Sequence, residues 1–235
     1  MFFVTKLPLF SVIIFYVFCV ISAILFPGTE KDIVGFKSGN YSLTHNFLSE
    51  LGGVVTHSGV KNTYSMFFFN FALILVGFTI SCFYYHFKYL FVNWDDHYKS
   101  IKYSRFTSFF GLIAGFMFAG VGFVPYDVSF QLHVFFANFS FLFLFFTSIF
   151  HVTTIFCSIK IHNFHSFGYL LFCFFLLAYL YLIFLGPEIS PNGNYNEKEL
   201  VVQVVSQKII VFIFTISMLM QVFVIKSILG FNNNV

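Results

Sequence analysis

Residues 132–156 read LHVFFANFSFLFLFFTSIFHVTTIF, a run of 25 positions with no Asp, Glu, Lys or Arg. His133, Ala137, Ser140, Leu144, Thr147 and His151 follow one another in steps of four and three. Those steps put them on one stripe of an α-helix, with Phe and Leu over the remaining surface. A helix apolar on nearly every side and longer than about 20 residues is long enough to cross about 30 Å of hydrocarbon. At about 1.5 Å per residue the two histidines lie about 27 Å apart, one near each membrane surface. The plainest reading of the stripe is small-polar packing against neighbouring helices with interfacial histidines at its ends.

The same reading repeats along the chain. Apolar runs at 7–26, 64–85, 106–124, 167–185 and 201–229 complete six candidate spans. Pro27-Gly28, Pro125, Gly186-Pro187 and Gly230 punctuate their exits. The 235 residues are 59% apolar, 24% aromatic and 9% charged, with 42 phenylalanines, whereas a soluble domain carries about 25% charged residues. So many large apolar side chains exceed what one core of this size can hide, and lipid is the solvent that accommodates the excess. Disorder, a secreted disulfide scaffold and a soluble nucleic-acid binder are excluded by the same composition and by a net charge of only +3. Cys19, Cys82, Cys157 and Cys173 lie in or beside apolar runs without metal or disulfide spacing and read as small core residues. The expectation is an all-α polytopic membrane protein, one six-helix domain over 1–235, with a short amphipathic helix between the first two spans.

Lys6 precedes the first run, but that run is too long for a signal peptide and lacks a small-residue cleavage pattern, so it reads as an uncleaved span. Lys6, Lys88, Lys99, Lys102, Arg105, Lys160 and Lys226 fall on one side, and Lys31, Lys37, Lys61 and Lys198 on the other. The excess and its clustering in one short loop predict both termini in the cytoplasm. Within the spans, Gly111, Gly115 and Ala119 form a small-residue ladder for close helix approach. Asn70, Gly77 and Ser81 in the second span, and Gln203, Gln207, Ser217 and Gln221 in the sixth, predict inward faces. The fifth span carries almost nothing polar but tyrosine, which suits a peripheral helix. Helices 3 and 5 are therefore the faces on which a membrane-protein partner would dock.

The outer loops carry the most unusual pattern. In 41–53, YSLTHNFLSELGG, Leu43, Phe47 and Leu51 repeat every four residues, with His45, Asn46, Ser49 and Glu50 opposite and Gly52-Gly53 as a left-handed stop. This reads as an interfacial amphipathic helix with its polar face toward water or toward the mouth of the bundle. Asp127 and His133 are expected neighbours, because a carboxylate can fix the tautomer of an imidazole. If the protein is an enzyme, Ser49, Glu50, Asp127 and His133 are the catalytic candidates, a serine, a base and an acid for attack on an ester or lipid. His45, Asn46, Asn70, Gln207 and Lys208 are the ligand-binding candidates, with Lys208 either reaching the outer surface or pairing with Glu50 or Asp127. A zinc site would draw on His45, His57 and His133 with Asp127 or Glu50, but no H-x-x-x-H spacing favours it. A haem would need His86 and His151. The cofactor therefore stays open.

The S-E-L-G tetrad at 49–52, Asn70, the G-x-V-P-Y-D run at 122–127 and His133 together resemble the uncharacterised six-span proteins of domain of unknown function 998. The likeness runs over nearly the whole chain, and more loosely the layout is similar to the DRAM-type six-span membrane proteins. The resemblance implies that the S-E-L-G segment, Asp127 and His133 belong together, and it supplies no reaction. Three functions compete. The first is an outward polar mouth that binds or passes a small molecule or lipid headgroup; the second is an intramembrane lipid-directed hydrolase, serine or metal-assisted; the third is a structural subunit of a membrane complex.

Overall fold

The computed structural model describes residues 1–190 and 193–232. Six helices carry the fold: α1 Phe2–Leu25, α2 Thr63–Asn93, α3 Tyr98–Phe123, α4 Phe130–Phe156, α5 Phe167–Leu185 and α6 Glu197–Asn232. Each is long and apolar enough to cross a membrane. The chain is an all-α, six-helix integral membrane protein, as a backbone in hydrocarbon requires, because a helix satisfies its own N–H and C=O groups.

Each helix packs on its neighbours in sequence, and α6 returns to α1, closing a ring. Packing is most extensive between α2, α3 and α4, and sparser from α4 through α5 and α6 back to α1. The glycines explain the tight side. A Cβ on Gly115 would strike Ser81 and the backbone of Gly77, and a Cβ on Gly77 would strike the backbone of Ala119 and Gly115. The ladder expected on α3 is thus consumed by α2 of the same chain. In the centre, side chains from all six helices surround an apolar void of about 60 Å³, among them Phe15, Ile80, Phe118, Leu144, Phe172 and Met218.

Helices α2 and α3 extend beyond the expected spans. Lys99, Lys102 and Arg105, read as a loop cluster, ride on the first turns of α3, because a helix can continue into the interface while its lysines and tyrosines reach outward. The short α2–α3 turn is pinned rather than free. Asp96, 5% exposed, accepts from the backbone N–H groups of His97 (2.7 Å) and Ile159 (2.8 Å) and from the Ser158 hydroxyl (2.5 Å). This ties the α2–α3 turn to the α4–α5 connection. At the same end, His151 stacks on Tyr169 with ring centres 3.9 Å apart, and the Tyr84 hydroxyl donates to that of Tyr169 at 2.9 Å. His86 instead stacks on Phe3 and engages the Cys82 carbonyl. The two histidines that a haem would need are each packed against aromatic rings.

The opposite face carries the long α1–α2 connection. Strand β1 Thr29–Lys31 pairs antiparallel with β2 Phe36–Ser38, Thr29 opposite Ser38 and Lys31 opposite Phe36. Gly35, at φ 64°, supplies the left-handed turn residue.

Candidate functional site

The segment expected to be an amphipathic helix folds differently. Residues 43–46 form turns and only Leu48–Gly52 is helical, as a 3₁₀ turn. Leu43 is 70% exposed, whereas Asn46 and Glu50, assigned to the polar outer face, are 0% and 4% exposed. The polar residues form the inside of this loop. Gly52 and Gly53 have no positive φ and so provide no left-handed stop. They are glycines for space, since a Cβ would strike the Asn70 side chain at Gly52 and the Tyr126 ring at Gly53.

The alternation of β1 explains what sits beneath the loop. Strand period puts Thr29 and Lys31 on one face, and both are buried. The Lys31 ammonium meets Glu50 Oε1 at 2.6 Å, with 6% and 5% of the two side chains exposed. The other partners of Glu50 come from its own loop. The Phe47 N–H donates to Oε1 at 3.1 Å, one half of a capping box, and the Asn46 amide donates to Oε2 at 2.6 Å. Each carboxylate oxygen is therefore engaged by protein donors, and Glu50 is a tie rather than a free acid. His57 Nε2 lies 3.8 Å from Oε2.

The other candidates divide into loop ties and cavity walls. Asn46 accepts from the Ser42 N–H through Oδ1, and its carbonyl accepts from Lys208 Nζ (2.6 Å) and the Tyr41 hydroxyl (3.1 Å). Lys208 thus holds a backbone oxygen rather than Glu50 or Asp127. Asn70 donates to the Gly52 carbonyl at 3.0 Å, and Gln207 accepts from the Leu48 N–H at 2.9 Å. His45 stacks on Phe36 at 3.8 Å and bridges to Glu197 at 3.0 Å, fastening the loop to α6. Asp127 does not orient His133. Its two oxygens accept from the N–H groups of Val54 (3.0 Å) and Val55 (2.8 Å), and the Tyr126 hydroxyl donates to the Val55 carbonyl. Burial pushes the Tyr41 and Tyr126 phenols up, with the Glu50 charge adding to it, so both remain donors.

Under this tied loop lies a cavity of about 690 Å³ between α4, α5, α6 and the hairpin. Glu30, Lys31, Asp32, Ser49, Glu50 and His57 line its mouth, with Glu188, Tyr195, Gln203 and Gln207 from the α5–α6 side. Its deeper wall is Val134, Ala137, Asn138 and Phe141 of α4 against Tyr179, Ile183 and Phe184 of α5, where helix packing is sparse. His133 stands at the junction, 5% exposed. Its Nδ1 lies 2.7 Å from the Val124 carbonyl. A carbonyl only accepts, so Nδ1 carries the proton and Nε2 has the free lone pair.

The structure thus brings Ser49, Glu50, His133 and Gln207 to one cavity and uses Asp127, Asn46, Asn70, Lys208 and His45 to hold its roof. Among the described residues Ser49 has no side-chain hydrogen bond to an imidazole or carboxylate, and no three His, Cys, Asp or Glu side chains converge as a metal site would need. Lys31, Asn138 and Tyr179 were not singled out from sequence. Asn138 could have been, as the one side-chain amide in residues 132–156.

Burial lowers the pKa of His57, against a smaller opposing pull from Glu50. An unfolded chain protonates this histidine near pH 6.5, before the folded protein does. Stability contributed by the neutral ring is present above that value and declines as the pH falls toward the lower folded pKa. The imidazole is 31% exposed, so the effect is modest. The melting temperature of the wild type should fall more steeply between pH 7.5 and 5 than that of His57→Gln; parallel curves would remove His57 as the cause.

Comparison with protein-family models, with curated proteins and with solved structures finds no match for this chain. The function is accordingly argued from the cavity itself.

Proposed function

We propose that this membrane protein binds an amphiphile, a single-chain molecule or a lipid headgroup with part of its chain, in the cavity beneath the α1–α2 loop. One observation carries the reading: the cavity of about 690 Å³ is polar at its mouth and apolar between α4 and α5. That volume is within the range of about 300–1,000 Å³ typical of small-molecule sites. It has room for one chain and a compact head rather than a whole two-chain lipid.

Binding is favoured over passage because the bundle below is closed. The central void is small and apolar, and the far end is filled by His151, Tyr169 and Tyr84. The positive-inside bias supports a cavity on the outer surface with both termini in the cytoplasm. A hydrolase is less well supported, because Asp127 is engaged by backbone and, among the described residues, no base is hydrogen-bonded to the Ser49 hydroxyl. An assembly role through helix 3 loses its motivation where α2 fills the glycine ladder. The apolar outer face of α5 is what lipid alone would cover. The S-E-L-G tetrad at 49–52 and the G-x-V-P-Y-D run at 122–127 support a reading of this chain as similar to the six-span proteins of domain of unknown function 998.

The test is photolabelling in proteoliposomes with a diazirine-bearing twelve-carbon alcohol. Label should concentrate on residues 130–141 and 179–189, and Ala137→Trp, which fills the cavity, should reduce it there at least tenfold. Even labelling of all six helices, unchanged in Ala137→Trp, would refute an amphiphile site.

A further inference from the structure

Two of the four carboxylates lining the cavity are neutralised within the protein. Glu50 is paired with Lys31, and Glu30 meets Lys37 at 2.9 Å. Asp32 and Glu188 have no ion-pair or hydrogen-bond partner for their side chains among the described residues, and both are exposed at the mouth. Among the described residues Lys31 is the only lysine or arginine in the lining, and it is buried against Glu50, so none of them offers a free ammonium or guanidinium to an anionic head.

His133 gives an independent pointer. It is 5% exposed yet lines the cavity, and because Nδ1 donates to Val124, its unpartnered Nε2 can only accept. That nitrogen opens on the cavity, where a ligand N–H can reach it. Asn138, five residues on and about 7.5 Å further along α4, adds an amide whose oxygen also accepts. Phe130, Tyr126 and Tyr195 line the same space, and aromatic rings there favour a cation.

We infer that the ligand is a single-chain amphiphile with a protonated primary amine as its head. The ammonium donates to His133 Nε2 and is held by the unpaired charges of Asp32 and Glu188, while the chain lies between Val134, Ala137 and Phe141 on one side and Ile183 and Phe184 on the other. An ammonium fits because it supplies both N–H donors and positive charge. A carboxylate or phosphate would meet unpaired carboxylates of its own sign, and a quaternary ammonium has no N–H to give the imidazole. This inference rests on the amphiphile-binding reading above.

The test is competition against the diazirine alcohol in proteoliposomes, using dodecylamine, dodecyltrimethylammonium and dodecanoic acid. Dodecylamine should displace cavity label at a concentration at least tenfold below that of either other compound. The Asp32→Asn/Glu188→Gln double variant, which alters only exposed side chains, should bring dodecylamine and dodecanoic acid to within about threefold of each other. His133→Phe should abolish the advantage of dodecylamine over the trimethyl compound, and if that variant fails to fold, the acidic double variant decides alone. Equal displacement by all three compounds, or a preference for the acid, overturns the ammonium assignment while leaving the amphiphile site standing. Absence of cavity-directed label in the wild type overturns both.

Discussion

Replacing Lys31 with methionine should destabilise the protein by about 3–5 kcal/mol, the usual result of stranding one member of a buried ion pair. Lys31 and Glu50 are 2.6 Å apart, with 6% and 5% of their side chains exposed. The pair is embedded in further donors, since Asn46 and the Phe47 N–H also bond the carboxylate. Removing the ammonium leaves a buried charge with only part of its compensation. Glu50→Leu should be at least as damaging, because it strands Lys31 and deprives Asn46 of its acceptor. The Lys31→Met/Glu50→Leu double variant should lose clearly less than the two single losses together, since neither buried charge is then unpaired. Unfolding in mixed micelles with increasing dodecyl sulfate measures all four proteins. Strict additivity would show that the ammonium and carboxylate do not act as a unit. The same singles should weaken cavity labelling, because β1 and the Leu48–Gly52 turn both line the cavity and this pair joins them.

The six spans are legible in the sequence because hydrocarbon admits few alternatives. A run such as residues 132–156 must be helical in lipid, and its stripe of small and polar residues must seek protein. The glycines of α3 are legible for the same reason. The α1–α2 loop is not. Its four-residue repeat of Leu43, Phe47 and Leu51 is a helical signal, yet Leu43 is exposed and Asn46 and Glu50 are buried. What decides the matter is a hydrogen-bond inventory whose key member, Lys31, lies 19 residues away on a three-residue strand. No periodicity encodes such a partner. Asp127 illustrates a different limit. A carboxylate six residues before a histidine suggests a pair, but two free backbone N–H groups at Val54 and Val55 claim its oxygens first. Membership of the cavity is thus partly readable as polarity, whereas the division between wall and roof depends on which backbone groups lack partners.

Gly115→Leu should remove most of the fold's stability. Overpacking typically costs about 1–3 kcal/mol where side chains can shift, but the atoms that a Cβ at Gly115 would strike include backbone of Ser81 and Gly77. Backbone inside a helix cannot rotate aside, so α2 and α3 must separate, and a loss above that range is expected. Gly77→Leu should behave alike, since it meets the backbone of Ala119 and Gly115. Phe116→Leu is the control one position away. That side chain is 69% exposed on the lipid side, and the change should stay within about 0.5 kcal/mol, as surface substitutions generally do. Equal melting temperatures for Gly115→Leu and Phe116→Leu would overturn the close α2–α3 contact. The consequence should also reach the cavity, whose wall residue Phe141 packs with ring centres 5.4 Å apart on Phe118, three residues from Gly115. Asn70 on α2 holds the Gly52 carbonyl, and Ser65 on the same helix donates to the Leu51 carbonyl at 2.9 Å. Displacing α2 therefore moves the roof of the site. In Gly115→Ala, where the added volume is a single methyl, cavity labelling should fall before global unfolding is detected, because the roof is tied to α2 whereas the walls stand on α4 and α5.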